Sequence, residues 1–104
     1  MAQIAVCVGI DVSKPWLDAY RHPDGAHQRF ANDTAGWAAL LVWLSGLNIL
    51  RVAVEASGGY ERDVVKALSA AGLVVRILDP WRVRLFARAR GRRAKNEQMD
   101  CDQR

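Results

Sequence analysis

The feature that most constrains the fold is an almost unbroken apolar run near the N-terminus, QIAVCVGI at residues 3–10. A run of this length that is rich in β-branched residues predicts a central strand covered on both faces. The run ends in Asp11, and a Ser-Lys-Pro step then leads into a second, alternating segment. A chain of 104 residues is near the commonest domain size, so we expect one domain built around this strand.

The next two segments complete a predicted meander. Residues 16–21 and 26–31 alternate weakly between apolar and polar side chains, and HPDG at residues 22–25 has the composition of a turn. Together with the first run, these segments predict three antiparallel strands joined by short turns.

The rest of the sequence alternates between helix and strand patterns. Asn32 or Asp33 can cap the first predicted helix, and Ser57 is a possible cap for the second. Gly72 is placed to end the second helix, and Pro80 suits the first turn of a third. The predicted helices cover residues 32–47, 57–72 and 80–91, and the predicted strands cover residues 50–55 and 73–78.

The predicted order of elements is therefore β-β-β-α-β-α-β-α. A meander followed by alternating helices and strands predicts an α/β fold with a mixed sheet and helices on both faces. Right-handed crossovers would place residues 50–55 and 73–78 parallel to the first strand, with the segment LVVRIL at 73–78 buried. Leu50, Val52 and Val54 should share one face. This order is that of the ribonuclease H-like fold.

Two acidic residues end two of the predicted parallel strands. Asp11 follows the first strand and Glu55 ends the strand at 50–55, so both should emerge at the sheet edge where α/β folds bind ligands. Neighbouring carboxylates repel each other unless a cation or a shared proton lies between them, and Mg²⁺ prefers such oxygen ligands. Alternatively, Asp11 is an ordinary turn residue and Glu55 caps the next helix.

Two further acids, Glu97 and Asp100, are three residues apart and would lie on one face of a helix. Placed against the same sheet edge, they would complete a four-acid cluster, and two metal ions held in this way can promote phosphodiester chemistry. The alternative is a solvated helix face. Two other features are less specific. ASGGYE at 56–61 could be a phosphate-binding turn, but its two glycines favour a tight strand-to-helix turn that presents Glu55. Lys14 could contact phosphate or be a solvated turn residue.

Basic residues are concentrated near the C-terminus. The chain has a net charge of +4, yet seven basic residues and no acid lie between positions 82 and 95, so the remainder is net negative. Such a local patch predicts a polyanionic partner such as DNA, although a solvated basic helix is the alternative. The members of this basic cluster are Arg82, Arg84, Arg88, Arg90, Arg92, Arg93 and Lys95.

Three segments resemble the N-terminal domain of the IS one-ten family of bacterial insertion-sequence transposases: VGIDVSKPWLDAY, VAVEASGGYERDVVKAL and GLVVRILDPWRVRLFARARGRRAKNEQMDC. The resemblance implies a RuvC-like, ribonuclease H-type domain with a DEDD acid set that binds Mg²⁺, with Mn²⁺ as a substitute. It also implies DNA transposition and recombination, with a catalytic serine in a separate C-terminal domain and a guide (bridge) RNA as partner. On this basis we expect the domain at residues 1–91 and a polar segment at 92–104.

The resemblance assigns the acid set residue by residue. The first Asp falls on Asp11, the Glu on Glu55 and the last Asp on Asp100. The third position, normally Asp, is Glu97, which extends the carboxylate by one methylene, whereas Mg²⁺ demands near-ideal octahedral geometry. In this assignment the four acids are catalytic metal ligands, and phosphate contacts come from Lys14 and from Arg84, Arg88, Arg90, Arg92, Arg93 and Lys95.

The sequence leaves two other classes of protein open. The sequence ends at Arg104, so we expect an expressed fragment or a truncated element. One alternative is a catalytically inactive nucleic-acid-binding or oligomerisation module of the same fold, and another is a piece of a sugar-kinase or actin-like ATPase. No apolar run reaches the roughly eighteen residues of a membrane helix and no signal pattern begins the chain, so we expect a cytoplasmic protein without a membrane partner. The resemblance implies association with the bacterial nucleoid. Without downstream helices to pack against, the segment 92–104 is expected to fray or to pair with a second copy, which would make a homo-oligomer.

Overall fold

A five-stranded mixed sheet organises the part of the chain that the structure describes. The structure is a computed structural model, and it describes residues 4–55 and 57–78. The predicted third helix, the domain boundary at residue 91 and the polar segment 92–104 lie outside these residues. The elements are β1 (Ala5–Val12), β2 (Trp16–His22), β3 (His27–Ala31), α1 (Thr34–Leu44), β4 (Asn48–Glu55), α2 (Arg62–Ala70) and β5 (Val75–Leu78).

The strands lie in the order β3-β2-β1-β4-β5. β1 pairs antiparallel with β2, and β2 pairs antiparallel with β3, in agreement with the predicted meander. β4 lies parallel to β1 on its other side, and β5 lies parallel to β4. The described elements form a mixed α/β arrangement that is compatible with the ribonuclease H-like fold.

Both described helices cover the same face of the sheet. Leu40 and Leu44 of α1 and Val64 and Leu68 of α2 join one buried core with Ile10 of β1. The crossovers through α1 and α2 proceed in the same direction across the sheet, so two crossovers of the same hand place both helices on one face. The expectation of helices on both faces is therefore not met by α1 and α2, and the predicted third helix lies outside the described residues.

Strand β1 extends past its predicted end. The sequence predicts that the strand stops before Asp11, but β1 continues through Asp11 to Val12. Pairing with β2 explains the extension, because Asp11 lies opposite Asp18 and Val12 lies opposite Leu17. Asp11 is therefore a strand residue whose backbone is held by the sheet.

The predicted face of β4 is wrong at Leu50, which is 45% exposed. The consecutive residues Val6 and Cys7 of β1 pair with Ile49 and Arg51, so Leu50 is an extra residue without a partner in that ladder. A bulge of this kind breaks the two-residue alternation and turns the side chain away from the core.

Strand β5 is less buried than its apolar sequence predicts. Ile77 is 53% exposed, and Val74, just before the strand, is 57% exposed. The physical reason is position, since β5 lies at one edge of the sheet formed by the described residues and has a single neighbouring strand there. An apolar run by itself does not distinguish an edge strand from a central one.

Two of the three residues predicted to mark the ends of α1 and α2 are confirmed. Asp33 caps α1, and its side chain accepts a hydrogen bond of 2.8 Å from the backbone N–H of Gly36. Gly72 follows α2 with a φ of +88°, as a C-terminal stop requires. Ser57 does not cap α2, because the N-cap position belongs to Glu61. Neither α1 nor α2, the helices of the described residues, is long and apolar enough to cross a membrane.

Candidate metal centre

The candidate site lies where the parallel strands β1 and β4 end side by side. Ile10 and Val54 are the last paired residues of this ladder, and Asp11 and Glu55 come directly after them. Because Ile10 and Val54 lie in the core, strand alternation directs Asp11 and Glu55 to the opposite face. Neighbouring strands lie about 4.8 Å apart, so the backbones of these two residues are neighbours at the end of the ladder. The structure thus places the two predicted site residues at adjacent strand ends.

Glu55 is a buried carboxylate, only 4% exposed. Its Oε1 accepts a hydrogen bond of 3.2 Å from the backbone N–H of Val12, a residue 43 positions away in sequence. This bond ties the end of β1 to the end of β4 and orients the carboxylate. The N–H of Val12 is a donor for this buried charge. Glu55 does not cap α2, because the N-cap position belongs to Glu61.

A third carboxylate, Asp18, lies on the same face directly opposite Asp11 in β2. Arg29 holds both of its oxygens, with Nε at 2.9 Å and Nη2 at 3.2 Å, and the guanidinium lies 5.2 Å from the centre of the Trp16 ring. The hydrogen bond that Arg29 donates to Asp18 is the main cause of the raised pKa of Arg29. Asp18 is therefore engaged by a cationic side chain.

The turn between β4 and α2 is organised by Glu61. Its Oε1 accepts hydrogen bonds from the backbone N–H of Ser57 at 3.0 Å, from the N–H of Gly59 at 3.1 Å and from the Ser57 hydroxyl at 3.3 Å. Glu61 thus occupies the backbone donors that a phosphate would need, which argues against a phosphate-binding turn here. Sequence reasoning missed this role, although a serine closely followed by a glutamate at a helix start was an available signal.

The Glu61 contacts predict a specific pH dependence of stability. The N–H of Ser57 is the largest cause of a lowered pKa at Glu61, whose ordinary value is 4.5. A lowered folded-state pKa gives stability that is present above the unfolded pKa and is lost as the pH falls through the folded pKa. Urea denaturation from about pH 7 down to about pH 3 should therefore show the stability advantage of wild type over Glu61→Gln shrinking below about pH 4.5. A difference that is independent of pH would contradict this role.

The other predicted site residues fall in different places. Lys14 is exposed in the turn between β1 and β2, three residues after Asp11. Glu97, Asp100 and the basic cluster lie outside the described residues. Within residues 4–55 and 57–78, no group of three or more His, Cys, Asp or Glu side chains is arranged to hold a metal ion. Asp11 and Glu55 carry carboxylate oxygens, which are the donor type that Mg²⁺ prefers.

Comparison with known protein families gives a match over nearly the whole chain. A family model described as a transposase, and named for the DEDD acid set and the IS one-ten elements, matches residues 8–102. No curated protein matches the chain. The matched region contains all four acids of the predicted set and the entire sheet from Val8 onward.

Proposed function

This chain belongs to the IS one-ten family of DEDD transposases, and we propose that it supplies the metal-binding catalytic domain for DNA strand transfer in transposition. Membership of the family makes it a DNA transposase domain. The proposal adds that Asp11 and Glu55 bind a divalent cation, Mg²⁺ or Mn²⁺, and that Glu97 and Asp100 complete the ligand set. It also adds that the domain binds DNA, and a guide RNA, through basic side chains.

The observation that carries the proposal is the placement of Asp11 and Glu55 directly after the last paired residues of two parallel strands, on one face of the sheet. Two carboxylates in neighbouring positions repel each other, and a cation removes that repulsion. When bound, the metal would supply charge stabilisation at a phosphodiester. The contribution of the protein is to hold Glu55 through the N–H of Val12 and to keep Asp11 on a rigid strand.

Phosphate contact is assigned to Lys14 and to the basic cluster. Lys14 is exposed beside the end of β1, so its ammonium group can reach a backbone phosphate near the carboxylates. The basic cluster carries seven positive charges without an acid, which supports strong and salt-dependent binding of a polyanion. Contacts of this kind position a nucleic acid but do not read its sequence.

Charge reversal in the basic cluster should weaken DNA binding equally for all sequences. We expect Arg88→Glu to lower the slope of log affinity against log salt by about 1 or more, because at least one phosphate contact is lost. The matched control is Lys66→Glu, an identical charge change at an exposed position of α2, which covers the opposite face from Asp11. Fluorescence anisotropy with two duplexes of unrelated sequence measures both effects. A loss confined to one duplex, or an equal loss in Lys66→Glu, would contradict the assignment.

A second candidate function is a catalytically inactive nucleic-acid-binding or oligomerisation module of the same fold. One specific feature favours it: Glu97 stands where the family has Asp, so the metal set is altered at one position. In this case DNA binding would be the same in Mg²⁺ and in EDTA, and Asp11→Asn would leave it unchanged. Sedimentation analysis with and without DNA would report whether copies of the chain associate.

A further inference from the structure

Asn32, between β3 and α1, connects three segments that are distant in sequence. Its Nδ2 donates to the carbonyl oxygen of Ser13 at 3.0 Å and to the carbonyl oxygen of Tyr60 at 3.1 Å. Its Oδ1 accepts a hydrogen bond of 2.9 Å from Trp37 Nε1. Both amide hydrogens are thereby used, so the side chain acts as a bridge with a defined orientation.

The orientation of the Asn32 amide is fixed by chemistry. The indole N–H of Trp37 can only donate, so it must face the oxygen of the amide, and Nδ2 must therefore face the two carbonyl groups. The backbone N–H of Asn32 also donates to the carbonyl oxygen of Pro15 at 3.0 Å, which anchors Asn32 on the turn between β1 and β2. Asn32 is thus bonded to both turns through its side chain and to the first of them also through its backbone.

The two bridged carbonyl groups belong to the turns that follow the candidate ligands. Ser13 is the first residue after β1 and lies two positions after Asp11. Tyr60 lies in the turn after β4, between Glu55 and the organising residue Glu61. These bonds span 19 and 28 residues in sequence, and they tie the turn after β1 to the turn after β4.

We propose that Asn32 is a positioning residue that sets the spacing of Asp11 and Glu55 by bridging these two turns. This positioning role rests on the proposed metal-binding function. The bridge itself, and its effect on the strand ends, can be tested without any metal. The bridge acts beside the bond from the N–H of Val12 to Glu55 Oε1, which reports directly on the alignment of the two strand ends. Loss of the bridge should loosen that bond before it loosens the centre of the sheet.

Two variants separate the bridge from the anchoring of the helix. Asn32→Asp keeps an oxygen for Trp37 but replaces both donors with an acceptor that repels the two carbonyl groups. Trp37→Phe removes the hydrogen bond to Oδ1 and leaves the donors in place. We expect Asn32→Asp to speed amide hydrogen exchange at Val12 at least tenfold relative to Val8 in the centre of β1, and Trp37→Phe to change this ratio by less than about twofold.

Each outcome decides the proposal. Equal acceleration at Val12 and Val8, or none at Val12, would mean that Asn32 stabilises the fold without positioning the strand ends. If Asn32→Asp fails to fold, the wild type provides the test, because the two Nδ2 protons of Asn32 should exchange more slowly than those of the exposed Asn48. Equal exchange there would overturn the bridge.

A parallel Mn²⁺ titration links the bridge to metal binding. With the proposed function correct, Asn32→Asp should bind Mn²⁺ at least tenfold more weakly than wild type, and Trp37→Phe should bind about as well. If wild type binds no Mn²⁺, the proposed function fails, and the exchange ratio at Val12 still decides the role of Asn32. An unchanged Mn²⁺ affinity in Asn32→Asp would show that the spacing of the carboxylates does not depend on the bridge.

Discussion

Gly36→Ala is expected to lower the free energy of unfolding by about 3 kcal/mol or more, which is a large share of the stability of a small domain. A methyl group on Gly36 would lie 1.7 Å from the carbonyl oxygen of Ala31 and 2.6 Å from its carbonyl carbon. The neighbour is the backbone at the end of β3, which cannot turn aside as a flexible side chain can. The first turn of α1 would therefore have to move away from β3, and the cap from Asp33 to the N–H of Gly36 would be strained.

The matched control for this variant is Gly46→Ala, which introduces the same methyl group after the C-terminal end of α1. Gly46 has a φ of +78° and open space around its Cβ position, so alanine there meets backbone strain of about 1 kcal/mol and no clash. Urea denaturation of the two variants gives the comparison directly. Equal destabilisation would show that α1 does not pack against β3 as closely as the structure has it.

Two substitutions that remove the charge of Glu55 should differ in their effect on stability but not in their effect on cation binding. Glu55→Gln retains an oxygen that can accept from the N–H of Val12, so the fold is expected to remain close to wild type in stability. Glu55→Ala leaves that buried N–H without its acceptor, and we expect a loss of about 1–3 kcal/mol beyond the change in packing. Both variants should lose divalent cation binding by at least a factor of ten, because an ionised ligand is gone.

Thermal denaturation with and without Mn²⁺ measures both properties of the Glu55 variants. The expected pattern is a raised Tm on addition of Mn²⁺ for wild type and no rise for Glu55→Gln, whose Tm without metal stays near that of wild type. A rise that persists in Glu55→Gln would exclude Glu55 as a ligand. Equal stability of Glu55→Ala and Glu55→Gln would show that the bond to Val12 contributes little.

The meander and the cap at Asp33 were predictable because each depends on a short stretch of sequence. Alternation, the turn HPDG and the preference of Asp for an N-cap act over a few residues. The parallel pairing of β4 with β1, which places Asp11 and Glu55 at adjacent strand ends, followed from the handedness of crossovers, a general rule of such sheets. These features required no knowledge of individual contacts.

Other features could not be predicted because they arise from contacts between distant segments. The bulge at Leu50 depends on the register between β1 and β4, and the close approach at Gly36 depends on how α1 crosses β3. The bridge at Asn32 joins residues 19 and 28 positions away, so its sequence signal is only that of a capping residue. The engagement of Asp18 by Arg29 likewise appears only when β2 and β3 are paired.

The most direct test of the central claim is a Mn²⁺ titration, followed by calorimetry, of wild type, Asp11→Asn and Asp18→Asn. Asp18 is the matched control because it is an aspartate on the same face, directly opposite Asp11, but is held by Arg29. We expect wild type and Asp18→Asn to bind with similar affinity and Asp11→Asn to bind at least tenfold more weakly. Binding that is unchanged in Asp11→Asn, or absent from wild type, would contradict the assignment of Asp11 and Glu55 as metal ligands.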